Sequence, residues 1–407
     1  MERRRLQIPS GMQDTLPGEC ARKRRLEGEL RRLFTLSGYQ EIETPILEYY
    51  DALSDPTYGY RPEHVWKTFD SRGQVLAIRP DSTIPAVRLA SGRLLDQPLP
   101  LRLCYVQAAA HYHTDTLSML CVEDQAGIEL MGEGGAEADA EIIALAIEAL
   151  RQSGLRDFQL ELGQAAFFNG FMQEAGLTEE QCGVMRRLTE EKNSLEMQMY
   201  LSKLALRQGV ADKLMRLPSL YGDEDVLTEA EGLTRHPLCL EAIGNLRQVM
   251  DILRAYGMEQ YISIDLGMVH QAGYYSGMIF RGLTANLGQP LLSGGRYDGL
   301  PARYGREMPA TGFAVNLKLL LMALEKQGAT FAAPVPDELV GFEQGCLADA
   351  IAYVRMQRGQ GVSAALQYGQ GPGEMTRRVA LGQAGAAVYI GRNGIRRMEK
   401  EAQPCRT

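Results

Sequence analysis

The sequence predicts an α+β protein: a mostly antiparallel sheet with flanking helices, interrupted by a helical insertion and followed by a small α/β domain. Three observations predict it. Short strand-like runs recur at Ile262–Asp265, Met278–Phe280 and Leu291–Ser293 as well as in the first third of the chain. Between about residues 165 and 257 the composition turns Leu- and Met-rich with helical spacing, as in Leu246, Val249, Met250 and Leu253. Ala332-Ala333-Pro334-Val335-Pro336 then reads as a linker. The expected division is a core over 1–325 with its insertion at about 165–257, a linker over 326–336, and a small domain over 337–407.

The elements follow in order. Leu26, Leu30, Leu33 and Phe34 form one stripe of a first helix, with Arg24, Arg25, Arg31 and Arg32 on the other face and Gly38 ending it. Ile42-Glu43-Thr44-Pro45-Ile46 reads as a short strand, placed at an edge by its proline. A hairpin is predicted from Val65–Phe69 and Val75–Ile78 around Asp70-Ser71-Arg72-Gly73. Leu101–Val106 and Gln125–Met131 read as two more strands. A helix follows with Ile142, Ile143, Ala146, Ile147 and Leu150 on one stripe, and a long helix is expected from Val315 to Leu324. Beyond the linker, Leu339–Phe342, a helix over 347–356, Val362–Leu366 and Ala387–Ile390 make the small α/β domain.

Composition narrows the function classes. The 407 residues carry 43 Lys+Arg against 51 Asp+Glu, a net charge of −8, which argues against nucleic acid as the main partner. No run approaches the ~20 apolar residues of a membrane helix. The basic start, Met1-Glu2-Arg3-Arg4-Arg5, leads into polar Gln-Ile-Pro-Ser-Gly rather than the apolar core of a secretory signal, so a cytoplasmic location is expected. The seven cysteines are scattered and none lies in a CxxC pair, which supports neither a disulfide framework nor a zinc ribbon.

Six segments in order then resemble those of histidyl-tRNA synthetases, a class II aminoacyl-tRNA synthetase family, over roughly residues 9–322. Pro9-Ser10-Gly11-Met12-Gln13-Asp14-Thr15-Leu16-Pro17 is similar to its opening G-x-x-D-x-x-P. Gly38-Tyr39 through Glu43-Thr44-Pro45 resembles motif 1. Arg79-Pro80-Asp81-Ser82-Thr83 resembles R-P-E-G-T, and Gln125-Ala126-Gly127-Ile128-Glu129 resembles Q-x-G-x-E. Gly273-Tyr274-Tyr275-Ser276-Gly277 resembles the histidine-specific D-Y-Y-T-G, and Ser293-Gly294-Gly295-Arg296-Tyr297-Asp298 matches A-G-G-R-Y-D almost fully.

Departures fall where ATP would be activated. By the resemblance, His111 stands at the motif 2 Arg position and His113 at its Glu. Motif 3 reads Gly312-Phe313-Ala314-Val315-Asn316-Leu317-Lys318-Leu319-Leu320, with Leu319 where the second ATP-binding Arg belongs. His270 begins the histidine-specific loop where the family has a third Arg. Adenylation needs fixed, charged forks on the phosphates as negative charge moves onto pyrophosphate. Leucine has no donor, and a histidine is mostly neutral at pH 7. At ~1.5–3 kcal/mol per charged hydrogen bond, three lost forks remove roughly 5–9 kcal/mol, about 10³- to 10⁶-fold in rate. Neighbouring Lys318 or Arg281 could compensate a single loss. Three look like an abandoned reaction.

The amino-acid pocket is retained. The resemblance implies that Asp81, Thr83 and Gln125 hold the α-ammonium of histidine, with Glu129, Tyr274 and Tyr275 facing the imidazole, and these types suit those donors and acceptors. Three readings compete. The chain resembles the synthetase-like, non-catalytic regulatory subunits of short-form ATP phosphoribosyltransferase, which join a separate catalytic subunit at the first step of histidine biosynthesis and allow feedback inhibition by histidine. Alternatively it is a divergent, active histidine-tRNA ligase, or another histidine-sensing module such as the synthetase-like part of a nutrient-responsive kinase, although no kinase motif accompanies it. The phosphate-site losses and the acidic charge favour the first. It implies no cofactor, a homodimeric core formed through motif 1 inside a hetero-oligomer, and no tRNA. A metal site from His111 and His113 lacks any Cys or carboxylate spacing to complete it, so none is expected; the altered histidines read instead as filling the emptied ATP site or serving an interface.

Overall fold

A computed structural model of the chain describes residues 6–9, 12–54, 62, 65–112, 120–204, 206–268, 274–285, 287–329 and 335–399. They fall in two compact units, one of residues 1–15 and 22–330, the other of residues 16–21 and 331–407.

Helix α1 (Pro17–Leu36) belongs to the first unit from Arg22 onward, and its Leu26, Leu30, Leu33 and Phe34 are buried as their spacing predicts. Gly38 follows at φ 85°, a left-handed position that a glycine enters without strain. Strands β1 (Gln40–Glu41) and β2 (Leu47–Tyr49) lie on either side of Ile42–Ile46, which is not itself a strand. The reason is local. Pro45 has no amide hydrogen, and the Arg79 guanidinium takes the Thr44 and Pro45 carbonyls that a ladder would have used. Helix α2 (Tyr50–Leu53) leads to the expected hairpin, β3 (Lys67–Phe69) and β4 (Val75–Ile78), whose turn is closed by the Asp70 carboxylate accepting from the Arg72 and Gln74 amides. With β2 these make a separate three-stranded sheet.

Helix α3 (Thr83–Gly92) precedes the two longest strands, β5 (Leu101–Tyr112) and β6 (Leu120–Met131), then α4 (Gly135–Gln152) and β7 (Gln159–Gln164). The next ninety residues are mostly helical: α5 (Ala165–Ala175), α6 (Glu179–Glu190), α7 (Ser194–Leu201), α8 (Val210–Arg216), the short β8 (Tyr221–Gly222), α9 (Asp225–Leu233) and α10 (Pro237–Ala255). The sheet resumes with β9 (Ile262–Asp265), β10 (Met278–Leu283) and β11 (Leu292–Arg296), then α11 (Gly299–Arg303), β12 (Ala310–Asn316) and α12 (Leu317–Lys326). The last helix starts two residues later than its spacing suggests. Val315 belongs to β12, and the Asn316 side chain caps α12 by accepting from the Leu319 amide at 3.1 Å.

Nine strands form the main sheet in the order β1-β5-β6-β12-β11-β10-β7-β9-β8. The six from β5 to β7 are antiparallel throughout, flanked by the parallel pairs β1·β5 and β7·β9. Alternation gives this sheet two unlike faces. One carries Phe280 and Phe313 toward the helices, where Phe313 meets Phe34 of α1 edge-on at 6.0 Å, and where Arg296 reaches Asp139 of α4 at 2.9 Å. The other carries the candidate site.

The second unit contains β13 (Glu338–Phe342), α13 (Leu347–Gly359), β14 (Ala364–Leu366), α14 (Pro372–Ala380), β15 (Ala386–Gly391) and β16 (Gly394–Glu399), with strand order β14-β13-β15-β16. One face of this sheet packs through Val340, Val388 and Ile390 on Ala350 and Val354 of α13. The other packs through Leu339 and Ala387 on Met375 and Val379 of α14. Sequence patterning finds β13, α13, β14 and β15 but neither α14 nor β16.

Candidate functional site

Glu129 is the centre of the site. It lies on β6 in register with Leu103 of β5 and Gly312 of β12, and it is 1% exposed. Burying a carboxylate is costly unless hydrogen bonds meet it. Here the Tyr105 hydroxyl donates to one oxygen at 3.0 Å and the Tyr297 hydroxyl to the other, while the Thr83 hydroxyl bonds the same carboxylate. Burial nevertheless dominates. It raises the Glu129 pKa from its ordinary value to about 8, against the opposing pull of the hydroxyls of Tyr297, Thr83 and Tyr105; nearby Asp81 pushes the same way as burial.

Room for this carboxylate comes from a missing side chain. A Cβ on Gly312 would stand 2.0 Å from Glu129 Oε2, so only glycine fits the facing position on β12. Gly295 does the same for Tyr275, whose ring atoms would lie 2.8 Å from an added Cβ. The Gly294-Gly295-Arg296-Tyr297 run thus alternates: Arg296 anchors the strand to α4 while Tyr297 faces Glu129.

The aromatic wall is continuous. Tyr274 and Tyr275 pack at 4.6 Å between ring centroids, and Tyr274 meets Tyr297 edge-on at 6.0 Å. Tyr275 titrates well above its ordinary value through burial, with Glu129 and Asp81 adding to the shift. Asp81 accepts from the Ile84 amide at 3.1 Å at the start of α3, which places its carboxylate beside the same cluster. Five of the six residues expected in the pocket, Asp81, Thr83, Glu129, Tyr274 and Tyr275, therefore gather around one carboxylate.

Gln125 sits apart on the same face of β6, four residues and about 13 Å along the strand. Its amide nitrogen donates to Glu123 at 3.0 Å, which fixes the orientation of the group and leaves Oε1 buried with no partner among the described residues. Glu123 also accepts from Asn316, so the cap of α12 and the Gln125 amide are tied together. An orphaned buried acceptor and, further along the same strand face, a hydroxyl-lined carboxylate suit a ligand with a donor at each end.

The positions that the resemblance assigns to nucleotide differ. Leu319 is buried in the first turn of α12, 8% exposed, and offers no donor. Lys318 is spent on Gln13 at 3.2 Å. Arg281 is held by Glu161 at 2.6 Å and by the buried Asp265 at 3.6 Å. His111 lies in β5 opposite Cys121, and His113 and His270 lie outside the described residues. Among the described residues no group of three or more His, Cys, Asp or Glu is placed to hold a metal, and no helix is long and apolar enough to cross a membrane. Cys20, Cys104, Cys182, Cys239 and Cys346 are free thiols, and Cys104, Cys239 and Cys346 are buried.

Two partners of Glu129 escape sequence reasoning: Tyr105 and the hydroxyl of Tyr297. Their partner is 24 and 168 residues away, and only the strand register brings them to it.

This sheet, with its buried carboxylate among tyrosines, has the form of the class II synthetase core that handles histidine, and residues 11–320 match the family model "Histidyl-tRNA synthetase". A solved structure described as an ATP phosphoribosyltransferase regulatory subunit/histidyl-tRNA synthetase from Bacillus halodurans is 31% identical, with a TM-score of 0.85 over 95% of this chain and 98% of that one. Histidyl-tRNA synthetase from Nostoc shares the fold at 20% identity and a TM-score of 0.80, over 95% of this chain and 92% of that one. Among curated relatives, ATP phosphoribosyltransferase regulatory subunits of Acetivibrio thermocellus and Desulforamulus reducens are 39% and 36% identical, over 92% and 95% of this chain and 90% and 96% of theirs. The chain belongs to the family of ATP phosphoribosyltransferase regulatory subunits.

Proposed function

We propose that this chain is a catalytically silent regulatory subunit that joins the short catalytic subunit of ATP phosphoribosyltransferase, is required for its activity, and lets histidine inhibit it. The observation that carries the histidine part is the pair of unequal groups on that face of β6. The free Oε1 of Gln125 accepts from the α-ammonium, and the Glu129–Tyr105–Tyr297 cluster, with Tyr274 and Tyr275 beside it, takes the imidazole. Catalytic silence rests on the positions that the resemblance assigns to nucleotide, where Leu319 is buried and Arg281 is neutralised.

Allostery requires that histidine bind two arrangements of the complex with different affinity, and the coupling is reciprocal. The arrangement that favours phosphoribosyl substrate is then the one that binds histidine less tightly. Two measurements test the reading together. Histidine-dependent ATP–pyrophosphate exchange by the purified chain is expected to be absent, and robust exchange would restore an active ligase. Histidine inhibition of phosphoribosyl transfer by the reconstituted complex is expected to weaken in Tyr275→Phe, with basal transfer kept. Inhibition as strong as wild type in both Tyr275→Phe and Glu129→Ala would move the sensor elsewhere.

The core pairs with a second copy through the motif 1 region. Next to it, one face of the small sheet presents Leu47 and Tyr49, 39% and 58% exposed, with Ile78 and Leu76 opposite them in register. Leu47→Lys is expected to shift light scattering toward monomer. We place no tRNA and no cofactor in this function.

A further inference from the structure

The helical insertion contains a cavity of about 190 Å³ between α5 and α8, outside the Glu129 cleft. Its floor is apolar. Phe171 and Leu214 are buried there, and Ala175 and Val210 complete the lining. Its rim is charged, with Glu174, Arg207 and Lys213.

Those charges are not equally satisfied. Glu174 is locked to the turn between α9 and α10, accepting from the Thr234 hydroxyl and from the Arg235 amide at 3.3 Å. The Lys213 ammonium lies 3.7 Å from its other oxygen, an ion pair longer than a hydrogen bond. The Arg207 side chain has no hydrogen bond or ion pair among the described residues. The rim therefore holds one more cation than carboxylate above a greasy floor. A zwitterion would set its ammonium in competition with Lys213 for Glu174, whereas a monoanion meets a free fork. As to size, a void of ~150 Å³ lined by apolar side chains takes up a benzene ring.

We propose that this cavity binds a small monocarboxylate with an apolar ring or branched alkyl body, the carboxylate on Arg207 and the body against Phe171, Val210 and Leu214. Benzoate is the probe, with benzyl alcohol as its neutral counterpart, titrated against the full chain by saturation-transfer NMR. Benzoate is expected to bind better than the alcohol, and Arg207→Gln to weaken it about two- to fivefold, the worth of a partly exposed charged contact. Ala175→Leu, which fills the cavity from α5, abolishes binding while circular dichroism shows a folded chain. Should that variant unfold, the exposed Arg207→Gln still decides the matter. Saturating histidine and Glu129→Ala leave benzoate binding unchanged, which separates this site from the histidine cleft. Equal affinity for benzoate and the alcohol, wild-type binding by Arg207→Gln, or displacement of benzoate by histidine would each overturn the assignment.

Discussion

The surroundings of Glu129 and those of Leu319 and Arg281 are built by opposite rules. Around Glu129 the chain keeps a buried carboxylate at a cost in desolvation and surrounds it with hydroxyls whose own burial would otherwise be uncompensated. Around Arg281 it pairs the buried carboxylates of Glu161 and Asp265 with one guanidinium, and at Leu319 it buries a side chain with no charge at all. Buried polar groups that serve no purpose are costly to keep. Around Glu129 hydroxyls meet that cost, and around Arg281 an opposite charge does.

The largest effect should come from breaking the first of these. Glu129→Ala orphans two buried tyrosine hydroxyls and removes the imidazole's acceptor, each loss worth ~1–3 kcal/mol. Calorimetry should find histidine affinity lowered at least tenfold, together with a lower melting temperature. Unchanged affinity would mean that histidine does not use this carboxylate.

Leu319 gives the next largest. Leu319→Arg restores the charge that the resemblance says is missing, yet it sets a guanidinium at a buried helical position with no partner waiting. A loss of ~2–4 kcal/mol in denaturant unfolding is expected, with no gain of ATP–pyrophosphate exchange. Recovery of exchange by this single change would show that adenylation is dormant rather than dismantled.

A third test uses pH. A folded-state pKa of about 8 against an ordinary value of 4.5 means that the folded protein holds the Glu129 proton more tightly than the unfolded chain. Its contribution is fully present below pH 4.5 and is lost as pH rises through 8. At full burial the swing is at most on the order of 5 kcal/mol. Glu129→Gln, which cannot ionise, should flatten the fall in stability between pH 5 and pH 8. An equally steep profile in the variant would remove Glu129 as its source.

Much of this contrast was legible before the structure. The motif segments locate Glu129, Gln125, Tyr274 and Tyr275, and Leu319 departs from the motif that the resemblance assigns to nucleotide, because short motifs carry residue type and order. Alternation in Gly294–Tyr297 encodes which side chain faces the helices and which faces the cleft, but it is readable only once β11 is known to pair with β12. Tyr105 could not be assigned to Glu129, since β5 and β6 run well beyond the strands their sequence suggests and the long hairpin sets the register. Nor does sequence reveal that Arg281 is spent on Glu161, a partner 120 positions away on β7. Ile42–Ile46 fails as a strand for a similar reason: Arg79 takes its carbonyls from outside.

The smallest effect concerns what else neutralises Asp265. Lys192, at the end of α6, is the one non-glycine residue with positive φ among the described residues, at 49°. Its ammonium stands 3.2 Å from the buried Asp265 and 5.0 Å from the centre of the Tyr221 ring, so a residue of the helical insertion neutralises a carboxylate on the sheet face. Two terms oppose each other there. The ion pair is half exposed on the lysine side and is worth ~0.2–1 kcal/mol, with the cation–π contact adding a similar amount. Against this, the left-handed backbone costs a lysine roughly 1 kcal/mol that a glycine would not incur. Lys192→Met keeps the strain and loses the charge, so it should destabilise by about 1 kcal/mol. Lys192→Gly loses the same charge but relieves the backbone, offset in part by the extra freedom of glycine in the unfolded chain. It should therefore be less damaging than Lys192→Met in urea unfolding, although it removes more of the side chain. If Lys192→Gly is the worse of the two, side-chain contacts rather than backbone strain govern this position. If neither variant shifts the midpoint, Asp265 is neutralised by Arg281 alone.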